Sequence, residues 1–208
     1  MVPYEHEYKI MGLAPYCNDR NKIEECKREF YTLLRFDDDR SLIWTYHGKM
    51  PSIQTAGNEL KKLFSSYRFD IVGAALQLFT EELLCEWIKR LIRHTRIRKI
   101  ALSGGVFMNV KANMLIAKLP EVESVFVFPS CGDESNAIGA AYYEYYRQTG
   151  NHPSPIHNLY LGDKLEINES HLPDIPKEIK IKKYNNIDEE IASLLSKGVI
   201  VARVTGKM

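Results

Sequence analysis

Apolar residues recur at three- and four-residue spacing from Ile71 to Ile92, through Ala75, Leu78, Phe79, Leu83, Trp87, Ile88 and Leu91. That is the period of one helix face, and it predicts a core helix over Asp70 to Thr95 with Asp70 as its N-cap. Glu81, Glu82, Glu86, Lys89 and Arg90 interrupt the apolar surface, which rules out a membrane span, and the basic clusters Lys89-Arg90 and Arg93 to Lys99 are assigned to a solvated face. Shorter patterns flank this helix. A helix is expected over Lys22 to Leu34, a turn at Asp37 to Arg40, and a strand over Ser41 to Tyr46, where the residues alternate. Met50 to Tyr67 reads as irregular, turning helical from Gly57.

Beyond the long helix the period shortens. The apolar strand of Ile97, Ile100, Ala101 and Leu102 ends in Gly104-Gly105 and opens a helix. A second apolar run, Val125 to Phe128, is bounded by Pro129, and Ser130 to Asn136 then leads into a small-residue helix spanning Glu134 to Gln148. Strand, polar glycine turn and helix therefore follow one another twice, which predicts an α/β fold. Tyr142, Tyr143, Tyr145 and Tyr146 point around most of that last helix, so they are expected to pack with exposed rims.

The two turns are where chemistry can sit. Paired glycines let a ligand approach the backbone with no Cβ in the way, and the helix that follows offers unpaired N–H groups and partial positive charge. The same residues also suit a plain strand-to-helix turn. A dinucleotide fingerprint and a Walker loop are both missing. Asp133, at a helix start, can be an N-cap; an acid outside the carboxyl end of a strand can equally meet a ligand or metal. Near the N-terminus, Glu7-Tyr8-Lys9-Ile10-Met11-Gly12-Leu13-Ala14-Pro15-Tyr16 places a Glu and a Lys two apart beside a glycine, either to touch a phosphate or as a charged turn.

Taken in order, these segments resemble the nodulation and antibiotic-biosynthesis O-carbamoyltransferases. Glu7 to Tyr16 matches the family's E-x-K-x-MGLA-x-Y-G stretch, Leu102 to Asn113 its LSGG-x-x-x-N-x-x-x-N motif, and Pro129 to Ala141 its P-x-x-G-D-x-x-x-A-x-G-A-A motif. The resemblance implies a partial actin/sugar-kinase-like (ribonuclease-H-like) domain and the beginning of a second α/β domain. It implies that Gly104, Gly105 and Asn109, with Glu7 and Gly12, line a pocket for ATP or carbamoyl adenylate. It further implies that Lys9 is catalytic through its effect on phosphate charge, and that Asp133 supplies one ligand to a divalent metal of iron or magnesium type. The reaction implied is carbamoyl transfer from carbamoyl phosphate, through the adenylate, to a small-molecule hydroxyl acceptor. The alternative is a non-catalytic nucleotide-binding module or one half of a split enzyme.

Three departures qualify the match. Cys17 stands where the family has a glycine. The family's paired metal-binding histidines lie upstream of the first motif, and His6, His47, His94, His152, His157 and His171 contain no pair at i, i+4 spacing. Gly206-Lys207-Met208 falls inside a family motif, which implies a fragment that does not turn over alone.

The expected organisation is a carbamoyl-transfer domain over 1–150, a linker over 151–176, and the start of the adenylate-forming domain over 177–208. That last part is expected to hold strands at Ile179 to Tyr184 and Val199 to Val204 around a helix at Asp188 to Ser196, and Asn158 to Gly162 resembles the family's domain junction. With 208 residues, 45% of them hydrophobic, and a net charge of +1, the chain can bury one ordinary core plus an appendage, and nothing in the charge predicts nucleic acid. Val2 to Glu5 lacks an apolar run, and the four cysteines show no C-x-x-C, so a cytoplasmic protein without disulfides is expected, with a homo-oligomer an open option.

Overall fold

The computed structural model describes residues 7–47, 57–156, 158–160, 162–163, 176, 179–204 and 206–207. The irregular stretch expected from Met50 to Ala56, most of the segment expected as a linker and the Glu7 side chain lie outside them. The chain divides into two compact units, Met1–Pro153 and Ser154–Met208.

The first unit is built on α4 (Phe69–Thr95). Before it come α1 (Glu7–Leu13), a 3-10 turn (Ala14–Tyr16), α2 (Arg20–Leu33), β1 (Leu34–Arg35), β2 (Thr45–Tyr46) and α3 (Gly57–Leu63). After it come β3 (Lys99–Leu102), a 3-10 turn (Gly105–Met108), α5 (Val110–Ala117), β4 (Ser124–Val127) and α6 (Ser135–Thr149). β3 and β4 are parallel, with Lys99 opposite Ser124 and Leu102 opposite Val127. The fold is therefore α/β, with α5 carrying the crossover that a parallel pair requires.

Two apolar clusters hold α4. Towards its C-terminal end Leu84, Ile88 and Ile92 pack with Leu102, Phe107, Ala112, Ile116 and Cys131. Towards its N-terminal end Ile71 and Ala75 pack with Cys26 of α2. Burial, and then the charges of Glu29 and Glu25, push the Cys26 thiol up to about 11, so this cysteine is a small core hydrophobe.

The structure corrects several sequence expectations. Asp70 does not cap α4. Arg68 occupies the N-cap without a side-chain capping bond, and Asp70 sits in the first turn, where Arg68 grips its carboxylate through Nε and Nη2 at 3.1 and 3.0 Å. The basic face of α4 is not all solvated, since Arg90 is 8% exposed, and Glu81 of the same helix is buried as well, at 5%. Arg90 lies over the Phe36 ring, 4.2 Å from its centroid. It also donates to Glu86 and to the carbonyls of Asp38 and Ser41, pinning that turn to α4. Only Thr45–Tyr46 of the expected Ser41–Tyr46 strand pairs, antiparallel to Leu34–Arg35. The preceding carbonyls of Ser41 and Leu42 are taken instead by Arg90 and the Trp87 indole. Glu7 to Tyr16 is helical rather than a charged turn.

In the second unit, α7 (Ile187–Ser196) is capped by Asn186, whose Oδ1 accepts the Glu189 N–H. Neither 179–184 nor 199–204 forms a strand, because apolar alternation makes a strand only where a neighbour takes the backbone bonds. No helix of the described residues is long and apolar enough to cross a membrane.

Candidate functional site

The LSGG stretch is bent by one residue. Gly104 has φ +111°, a conformation that L side chains rarely adopt, and its N–H donates to the Cys131 carbonyl at 2.8 Å. The α-helix does not open directly behind the glycines. Gly105 to Met108 form a 3-10 turn, and α5 begins at Val110 with Asn109 as its N-cap, its Oδ1 accepting the Ala112 N–H at 3.1 Å. A Cβ built on Gly105 would meet nothing within 4 Å, so this backbone is open to approach.

That opening is one wall of a cleft of about 500 Å³ lined by Tyr8, Ile10 and Met11 of α1, Leu76, Gln77 and Thr80 of α4, and Gly105, Val106, Met108 and Asn109. The first two motif segments, about a hundred residues apart in sequence, thus face one space. The third lies beside them: besides the Gly104 to Cys131 bond, the Ser103 and Ser135 hydroxyls share a hydrogen bond at 3.1 Å.

Residues 2–142 match the carbamoyltransferase N-terminus family. The chain belongs to it. Relatives include an uncharacterised protein of Methanocaldococcus jannaschii, 26% identical over all of this chain and 34% of its own length. The nodulation proteins NolO of Bradyrhizobium diazoefficiens and NolNO of Sinorhizobium fredii are 26% and 24% identical over 97% of this chain, and 37% and 30% of their own lengths. The chain therefore spans about a third of the length of the curated relatives it matches.

The remaining sequence candidates fall around the cleft unevenly. Gly105 and Asn109 line it, and Gly104 precedes them in the turn. Lys9 is exposed at its margin, its ammonium 5.8 Å from the ring centroid of Tyr8. Gly12 is on the exposed side of α1, and Glu7 begins that helix.

Asp133 is exposed and outside the cleft lining, and it does not cap α6. Glu134 takes the N-cap position, also without a cap bond. Its carboxylate folds back over Gly132, where the absence of a side chain leaves room. There the Ser130 hydroxyl donates to it and holds it below the usual glutamate range. Among the described residues no three of His, Cys, Asp and Glu gather as a metal site, so the donors around Asp133 do not fit a metal by themselves.

Sequence patterning missed the polar groups behind the cleft. Gln77 and Glu81, one turn apart on α4, are buried there, and Lys111 Nζ lies 3.4 Å from Glu81 Oε1. The available signal was two amphiphilic residues on the apolar stretch of a core helix.

Proposed function

We propose that this chain contributes the adenylate-binding part of a carbamoyl transfer to a hydroxyl acceptor, the carbamoyl group coming from carbamoyl phosphate through an ATP-derived carbamoyl adenylate. The observation that carries the reading is the convergence of α1 and the Gly104–Asn109 loop on one cleft, with the third motif hydrogen-bonded behind it. The wall is chiefly apolar, as a nucleoside requires, with amide and hydroxyl groups at Gln77, Thr80 and Asn109 to orient it.

A phosphate would meet the first amides of the 3-10 turn, which have no partner within that turn. Lys9 at the margin would offset phosphate charge. Asp133 would be one carboxylate towards a divalent ion in this reading, but the described donors beside it do not make a metal site, so no step is assigned to an ion. The hydroxyl acceptor is a small molecule in this reading.

Titration calorimetry with ATP on the chain and on Gly105→Val tests it. The Val side chain enters open space, so the melting temperature should stay within about 2 °C while ATP heat is lost. Equal heats from both proteins would remove the turn from the site, and no heat from either would overturn the nucleotide reading.

A further inference from the structure

Arg93, Arg96 and Arg98 stand close together in sequence, where α4 gives way to β3. Like charges so near one another are expected to splay into solvent, yet all three line one cavity of about 410 Å³ with Ile92, Pro120 and Glu121. This cavity shares no lining residue with the cleft. The glycine turn follows the carboxyl end of β3, whereas Arg98 directly precedes its amino end. The cavity and the cleft therefore lie at opposite ends of that strand.

Arg98 is held in one orientation. Its Nε and Nη2 donate to the carbonyls of Glu121 and Pro120 at 2.8 and 2.9 Å. That uses one edge of the guanidinium and leaves the edge between Nη1 and Nη2, the two-pronged fork that matches a carboxylate, without a partner among the described residues. Arg96 ends α4 in the left-handed conformation, φ +63°, where helix ends favour glycine because a Cβ is strained there. The turn itself needs no side chain at this position, and the Arg96 guanidinium has no partner among the described residues. Glu121 supplies the opposite charge. Its Oε2 is buried without a hydrogen-bond partner, and a carboxylate left in that state calls for a donor.

A bare anion such as phosphate would meet the Glu121 carboxylate and the negative end of α4 as well as the arginines. A molecule carrying both charges avoids that conflict. We propose that this cavity binds a free α-amino acid with a large apolar side chain. Its carboxylate takes the Arg98 fork with Arg96 beside it, its ammonium faces the Glu121 carboxylate, and its side chain lies on Ile92 and Pro120. Arg98 Nε bonds the carbonyl of Glu121 itself, which keeps the fork and the carboxylate neighbours, as the short spacing between the ammonium and carboxylate of an amino acid requires. Arg93, tied to Glu86 at 3.2 Å, rims the site.

Heteronuclear NMR titration of the unaltered chain with L-leucine tests this without a variant that could fail to fold. Leucine is expected to move the amides of Arg96, Arg98 and Glu121 saturably, with a Kd on the order of 1 mM. Isocaproate, which is leucine without its amino group, N-acetyl-L-leucine and inorganic phosphate should each bind at least about tenfold more weakly. Glu121→Gln should remove the preference for leucine over isocaproate. Arg96→Gly relieves the left-handed backbone, so its melting temperature should hold or rise while leucine affinity falls at least about fivefold, a combination that a merely structural arginine would not give. Isocaproate or phosphate binding as tightly as leucine would overturn the proposal, as would the absence of saturable shifts with leucine up to about 20 mM. Leucine affinity unchanged in Arg96→Gly would overturn the placing of the carboxylate.

Discussion

The two strand–turn–helix units of the first domain are alike in sequence and different in the folded chain. In the first, the turn after β3 is backed by α4: Ala112 and Ile116 of α5 are fully buried, and Asn109 caps the helix and pairs with Gln77. In the second, α6 has no buried residue and no side-chain cap, and its polar turn is closed on itself by Ser130, Gly132 and Glu134. Of the tyrosines expected to pack with exposed rims, Tyr142 is half-buried, while Tyr143, Tyr145 and Tyr146 are about half or more exposed, with Tyr146 stacked on His152. The local grammar makes a turn and a helix in both places. Only the unit that rests on another helix acquires a fixed set of side-chain partners, and that unit carries the cleft.

Core truncation should separate the two units most. Ile116→Ala should cost about 2–5 kcal/mol, because its surroundings cannot collapse into the space, whereas Ile138→Ala on α6 should cost less than about 1 kcal/mol. Urea denaturation of both variants checks this, and similar losses would mean that α6 is as well supported as α5.

The caps should differ by less. Asn109→Ala removes the bond to Ala112 and breaks the amide pair, for a loss of about 1–2 kcal/mol, while Asp133→Ala should stay within about 0.5 kcal/mol. A large effect at Asp133 in thermal melts would restore it as the cap.

The smallest effect is a pH dependence in the second turn. The Ser130 hydroxyl lowers the Glu134 pKa, so this contact favours the folded state above the usual glutamate pKa, and the benefit is lost as pH falls through the lowered value. Ser130→Ala should raise the Glu134 pKa towards the ordinary one in an NMR titration, and an unmoved titration would remove the hydroxyl as the cause.

Much of the framework was legible. The 3.6-residue period announced α4 to within a residue at its start, and the two apolar runs ending at glycine turns announced β3 and β4. The length of each pattern and its punctuation carry that information locally. The strands expected at 179–184 and 199–204 failed for the opposite reason, since apolar content there was not matched by a pairing partner among the described residues.

For the site, the sequence by itself determined where the backbone could open: Gly104 must be a glycine for its φ, and Gly105 leaves space because it has no Cβ. It could not decide the fate of the polar residues on α4, because periodicity assigns a face but not what lies opposite it. Tertiary packing set Asn109 beside Gln77, 32 residues earlier in the chain, and Phe36 and the Asp38 and Ser41 carbonyls around Arg90. Burying a polar group is costly unless it is hydrogen-bonded, and only the folded chain, by bringing distant segments together, supplied those partners.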